Sequence, residues 1–226
     1  MPIQAVKAVL FDFGNVLGFF NHLKACEAIC DNVPEVSIAL DPEGLRDYIF
    51  DDGGLGRAFE LGQFTTNEFL NVLRKQYELD PELSDKKLEV YWGDIFTEVT
   101  GVGKVLGQIK SFVQLGILSN TDPIHWEYIK RLPVMKKHFN NEKFVTTSFE
   151  MKSRKPSKEM YLAAAAKFEL EPREIVFIDD LKKNVTAAEN LGFQAEHFNA
   201  LSDSPKKLAE ILSRYGLIGD VLKAMS

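Results

Sequence analysis

The chain has 226 residues, 45% of them hydrophobic, with 27 Lys and Arg against 33 Asp and Glu and a formal net charge of -6. That length and apolar content can bury a real core, which excludes disordered, collagen-like and mini-protein classes. The mild acidity is spread without a basic stripe, so no nucleic-acid partner is expected.

In chain order, MPIQAVKAVLFDFGNVLGFF is apolar in runs that Lys7 and Asp12 interrupt. Neither a signal-peptide core nor a span of ~20 apolar residues fits there, so export and membrane insertion are not expected. Val6 to Phe13, closed by Gly14 and Asn15, has the pattern of a strand buried on both faces of a parallel sheet. From Phe19 to Phe96 the period changes: no strand-like run occurs, and apolar residues recur at helical spacing. Cys26 and Cys30, the only cysteines, share a helix face and read as two buried thiols suited to a reducing cytoplasm, with a disulfide or metal site as the alternative. Gly53, Gly54 and Gly56 read as a flexible connection between helices. Thr65 with Glu68 makes a capping box ahead of Phe69, Leu70, Leu73 and Tyr77, and Ser84 can cap a helix through Leu88, Tyr91 and Trp92. Tyr48, Phe50, Phe59, Phe64 and Phe69 read as the core of this helical insert. GVGK at 101–104 lacks both the spacing and the preceding strand of a phosphate loop.

Beyond the insert the strand pattern returns at Val113 to Leu118 before Ser119-Asn120, at Phe144 to Thr147, and at Ile175 to Ile178 before Asp179-Asp180. Helix signals follow each. Pro123 opens an amphipathic stretch to Arg131, and Ser157 can cap the helix carrying Met160, Leu162 and Ala163 to Ala166. Leu181 to Leu191 stops at Gly192, and Ser204-Pro205 starts a helix to Leu212. The repeat predicts an α/β fold: a Rossmann-like parallel sheet core with helices on both faces, residues 1–18 and 97–226, carrying residues 19–96 as an inserted α-helical cap. Ligands of such sheets bind at the carboxyl ends of the strands. Asp12, Ser119, Lys155 in SRKPSKEMY and Asp179-Asp180 fall there in order. One strand-end Asp is an ordinary turn residue, but a carboxylate, a hydroxyl, a cation and an acidic pair at successive strand ends are an improbable coincidence.

DFGNVL at 12–17, ILSNTDP at 117–123, RKPSKEMY at 154–161 and FIDDLKKNVTAAENLG at 177–192 resemble the haloacid dehalogenase-like hydrolase superfamily, in the branch whose helical cap follows the first strand. ELGQFTTNEF at 60–69 is similar to a cap segment of that branch. The resemblance implies a nucleophile at Asp12, a phosphate-contacting hydroxyl at Ser119, a bridging cation at Lys155, and Mg²⁺ held by Asp12, the Gly14 carbonyl and Asp180. Asp179 and Asn184 would then stand behind these groups, and Gly14, Asn15, Asn120 and His22 would join Ser119 and Lys155 around the substrate. The chemistry is consistent, because a phosphoryl group needs a hard cation, a lysine and N–H donors on its oxygens. An aspartate near them is expected to stay ionised and attack, forming an acyl-phosphate. Family phosphatases usually place a second Asp two residues after the nucleophile to protonate the leaving group, and Gly14 stands there instead. The Gly-Asn-Val pattern resembles a group of glucose-1-phosphate phosphatases, with the amino-terminal domain of soluble epoxide hydrolases more distant.

The expected function is a cytoplasmic Mg²⁺-dependent phosphatase of a small phosphorylated metabolite, monomeric or homodimeric, without nucleic-acid or membrane partners. A 2-haloacid dehalogenase and a non-catalytic phosphate binder are the alternatives. His22 could reach the site as a phosphate contact or base, against its ordinary reading as a surface histidine. His125 reads as substrate contact or helix-start packing, and Arg57 as solvated charge or an anion grip.

Overall fold

The computed structural model describes residues 5–33, 41–51 and 53–219. Among these, five parallel strands form one sheet in the order β5-β4-β1-β6-β7. They are β1 (Ala8–Phe11), β4 (Gln114–Ser119), β5 (Val145–Thr147), β6 (Ile175–Asp179) and β7 (Gln194–His197). The order reverses at β1, which pairs β4 on one side and β6 on the other in register. Ligand crevices of open α/β sheets lie at such a reversal, beyond the carboxyl ends.

Alternation along the strands decides the layers, because successive side chains leave a strand on opposite faces. Val9, Phe11, Ile117, Val176 and Ile178 pack on one face with α6 (Val102–Leu106), α7 (Pro123–Ile129), α8 (Pro133–His138) and α12 (Pro205–Arg214). Ala8, Leu10, Leu118, Ile175 and Phe177 face α10 (Lys158–Phe168) and α11 (Lys182–Asn190) on the other. The short α9 (Ser148–Met151) follows β5.

Among the described residues, five helices lie between β2 (Gly18–Phe20) and β3 (Phe96–Glu98): α1 (His22–Cys30), α2 (Pro42–Phe50), α3 (Leu55–Glu60), α4 (Thr66–Gln76) and α5 (Asp85–Gly93). They enclose a separate apolar cluster, including Cys26, Ile49, Phe59, Phe69, Leu73 and Trp92, which Ile124 of α7 joins from the core. Each such side chain contributes about 1.5–3 kcal/mol when fully buried, so the insert has a core of its own. Thr65 and Glu68 form the expected capping box, and Ser84 caps α5. Cys26 and Cys30 are free thiols, and burial pushes that of Cys26 up to about 12.

Several local readings are corrected. A two-stranded antiparallel ribbon, β2 (Gly18–Phe20) with β3 (Phe96–Glu98), carries the chain out to the insert and back, where no strand was expected. β7, with the polar sequence QAEH, escaped the apolar-run criterion because it is an edge strand paired on one side only. Gly54 and Gly56 serve close packing rather than flexibility: a Cβ on Gly54 would sit 2.2 Å from the Ile49 carbonyl oxygen. Ser157 and Ser204 occupy N-cap positions without making the cap bond; the Ser157 hydroxyl turns to Glu159.

Candidate active site

Asp12 follows the last residue of β1, Ser119 ends β4, and Asp179 ends β6 with Asp180 next, so parallel register alone brings them to one edge of the sheet. Lys155 reaches the same edge from the loop between α9 and α10. Its Nζ lies 2.7 Å from Asp12 Oδ1 and 2.7 Å from Asp179 Oδ2, and all three side chains are buried. Asn120 aims that loop: its Oδ1 accepts from the Lys155 N–H at 2.8 Å and its Nδ2 donates to the Lys155 carbonyl at 3.2 Å. Each end of this cleft-lining carboxamide thus makes one bond to the Lys155 backbone.

Asp179 is saturated. Oδ1 accepts from the Leu181 N–H and Asn184 Nδ2, and Oδ2 from Lys155 Nζ and again Asn184 Nδ2. Asp180 is held differently, its Oδ2 accepting from Asn15 Nδ2 at 3.0 Å. Asn15 reaches it from a left-handed backbone at φ 52°, a conformation Asn tolerates better than most residues.

Three carboxylates and one ammonium make an unbalanced cluster. Burial, with Asp179 and Asp180 adding to it and Lys155 opposing, pushes Asp12 up to about 7. Burial and Asp179 likewise raise Asp180 against the Asn15 hydrogen bond. Burial pulls Lys155 down, but Asp12 and Asp179 outweigh it and hold the ammonium above its ordinary value. In the chain alone, one lysine does not offset the burial of Asp12 and its two acidic neighbours.

The residues fit a divalent cation. Asp12, Asp179 and Asp180 each offer an oxygen within 4.8 Å of the others, and hard cations take such oxygen donors. Since donors already occupy both Asp179 oxygens, Asp12 and Asp180 are the better ligands. Beside this cluster, Asn184 Oδ1 is buried without a hydrogen-bond partner.

A cleft of about 340 Å³ opens over this cluster, lined also by Gly14, Asn15, Ser119 and Asn120 and by Phe20, His22, Phe50, Arg57 and Glu60 on the insert side. His22 is thus a cleft residue rather than a surface one. Its ring stacks on Phe50 at 3.8 Å, and burial, reinforced by His125, pushes its pKa down to about 3. A base that weak is poorly matched to proton transfer near neutral pH. His125 also lines the cleft and is buried, with Nδ1 2.7 Å from Asp122 Oδ2 and Nε2 3.0 Å from the Trp92 carbonyl. Asp122 Oδ2 also accepts from Trp92 Nε1 at 3.0 Å, so this buried network ties α5 of the insert to α7 of the core. Arg57 pairs with Glu60, and Arg154 approaches the same carboxylate from the core. Glu60 and Arg154 stand inside motifs legible in the sequence, but no local signal pairs them across the cleft.

The family model for haloacid dehalogenase-like hydrolases matches residues 6–192. A D-ribitol-5-phosphate phosphatase of Bacteroides thetaiotaomicron is 26% identical over 216 residues, covering 92% of this chain and 99% of the relative. Two solved structures share the fold. A HAD family enzyme of Bacteroides thetaiotaomicron in complex with magnesium and inorganic phosphate has a TM-score of 0.72 at 24% identity, over 88% of this chain and 97% of the other. A HAD-like family hydrolase of Porphyromonas gingivalis has a TM-score of 0.72 at 22% identity, over 92% and 98%. Among the described residues, no helix is long and apolar enough to cross a membrane.

Proposed function

The chain belongs to the haloacid dehalogenase-like hydrolases, and from that premise we propose that it is a Mg²⁺-dependent phosphatase of a small phosphorylated metabolite, with Asp12 as nucleophile. The observation that carries this reading is the buried meeting of Asp12, Asp179 and Asp180 around one lysine at the carboxyl edge of the sheet. The phosphatase relative and the neighbour crystallised with magnesium and phosphate support it.

In this reading Asp12, Asp180 and the Gly14 carbonyl hold the cation, which supplies charge neutralisation for the phosphoryl oxygens and for the carboxylates. Lys155 and the Ser119 hydroxyl orient the phosphoryl group. A carboxylate oxygen of Asp12 attacks phosphorus, the bond from phosphorus to the leaving oxygen breaks, and that oxygen takes its proton from solvent because Gly14 has no side chain to give one. Water then attacks phosphorus of the Asp12 acyl-phosphate, the bond to Asp12 breaks, and inorganic phosphate leaves with the carboxylate restored. The helical insert, residues 19–96, serves as the cap that closes over the phosphate and selects the leaving group.

A screen of sugar phosphates, acyl phosphates and nucleotides with and without Mg²⁺ tests this. Phosphate release that needs Mg²⁺ and disappears in Asp12→Asn is expected. Halide release from a 2-haloacid without metal would instead select the dehalogenase reading, and binding of phosphate analogues without any turnover the binder.

A further inference from the structure

The cleft has a second polar end that the proposed reaction leaves unused. Glu60, the last residue of α3, is buried, and its Oε2 accepts from Arg57 Nη1 at 2.9 Å and lies 3.6 Å from Arg154 Nη2. Arg57 belongs to the insert, whereas Arg154 directly precedes Lys155 in the core. One carboxylate therefore joins both sides of the cleft whose floor is Asp12. Arg57 Nε is buried and makes no hydrogen bond, and a buried donor left unpaired is costly. Beside this end, the parallel rings of His22 and Phe50 provide an apolar wall.

We infer that Arg57 and Glu60 are the specificity end of the cleft and read hydroxyl groups on the leaving portion of a small polyhydroxylated phosphate ester, an assignment that rests on the phosphatase reading. A hydroxyl donates to a carboxylate and accepts from a guanidinium at once, so it satisfies both partners. A second anion would meet Glu60 head on and compete with it for the arginines. The ring wall suits the C–H faces of a carbon chain. A cleft of about 340 Å³ is at the small end of the ~300–1,000 Å³ usual for ligand sites, which favours a short chain over a nucleotide. Glu60 acts on specificity, and through Arg154 its engagement bears on the loop that carries Lys155.

The test compares three phosphates on the Mg²⁺-loaded full chain: a pentitol 5-phosphate, the same compound lacking its distal hydroxyls, and a sugar-acid phosphate with a carboxylate in their place. Acetyl phosphate serves as the tail-less reference. The parent should prefer the hydroxylated ester, and Glu60→Gln should lower its kcat/KM relative to acetyl phosphate by about 10- to 100-fold, the size of a charged hydrogen bond. Arg57→Gln should lower the same ratio. Since a cleft variant can fail to fold, the parent's discrimination among the three esters stands as an independent measurement. Thermal shifts of Asp12→Asn with the same esters read binding without turnover. Equal handling of hydroxylated and deoxygenated esters would overturn the inference, as would preference for the carboxylated one. Acetyl phosphate that stays intact would count against the phosphatase reading, while the binding order still decides this one.

Discussion

The ring of Phe20 covers the α-carbon of Gly14: a Cβ built on Gly14 would lie 3.0 Å from Phe20 Cε1. The position two residues after Asp12 thus offers no carboxyl group of its own, and a ring from the ribbon strand stands beside it. Positioned acid groups contribute ~10² to 10⁴-fold. Acyl or anomeric phosphates, whose leaving oxygen is already stabilised, should therefore turn over at least ~10²-fold faster than the matching primary-alcohol phosphate. Hydrolysis of the acyl-phosphate lacks the same group, so rapid-quench labelling should show a burst on Asp12. Equal rates on both ester types would show that another group supplies the proton.

Magnesium should stabilise the fold as well as permit turnover. A ligand at ~100 times its dissociation constant adds about 2.7 kcal/mol, and three carboxylates around one lysine give the cation a net negative site. A rise in Tm with Mg²⁺ is expected for the parent and should be lost in Asp180→Asn. A Tm indifferent to Mg²⁺, with full activity in chelator, would remove the metal from the site.

Lys155→Met keeps bulk and deletes the cation buried between Asp12 and Asp179. Breaking a buried pair from one side typically costs about 3–5 kcal/mol, so without Mg²⁺ the variant should melt earlier and be crippled in turnover. Adding Asp179→Asn should recover part of the stability but none of the activity. Melting and kinetics like the parent's would reduce Lys155 to a solvated loop residue, which its burial already opposes.

His22 ties stability to acid. Folded, its pKa is pushed down to about 3 from the ordinary 6.5; burial acts first, then His125 of α7, Arg57 of α3 and Arg46 of α2, with Asp122 opposing. Between these values the unfolded chain binds the proton and the folded chain does not. The contribution of His22 to stability is therefore constant above about pH 6.5 and falls as pH drops below it, by at most about 1.4 kcal/mol per unit, while Asp12, pushed up to about 7, contributes with the opposite sign in the same window. In chemical denaturation from pH 7 to 5, the stability of His22→Gln should lose less, or gain more, per unit of falling pH than the parent does; the same slope in both would show that the ring is already solvated.

Much of the site was legible because its chemistry sits at strand ends. Val6 to Phe13 and Ile175 to Ile178 announce central parallel strands by being apolar on both faces, and parallel neighbours necessarily deliver Asp12 and Asp179-Asp180 to one edge. The helices between β2 and β3 were equally readable from their period and from the Thr65 and Ser84 caps, each built from residues within one turn.

What local pattern could not supply was the identity of polar partners. Asn120 grips the Lys155 backbone, Glu60 meets Arg154 across the cleft, and Asp122 fastens Trp92 to His125. The strands β2, β3 and β7 share this character, being too short or too polar to announce themselves and existing because a neighbour completes their hydrogen bonds. Apolar periodicity records which face of an element is buried, a property each segment carries alone. Which donor reaches which acceptor depends on how distant segments return to the same edge, and only the tertiary structure decides that.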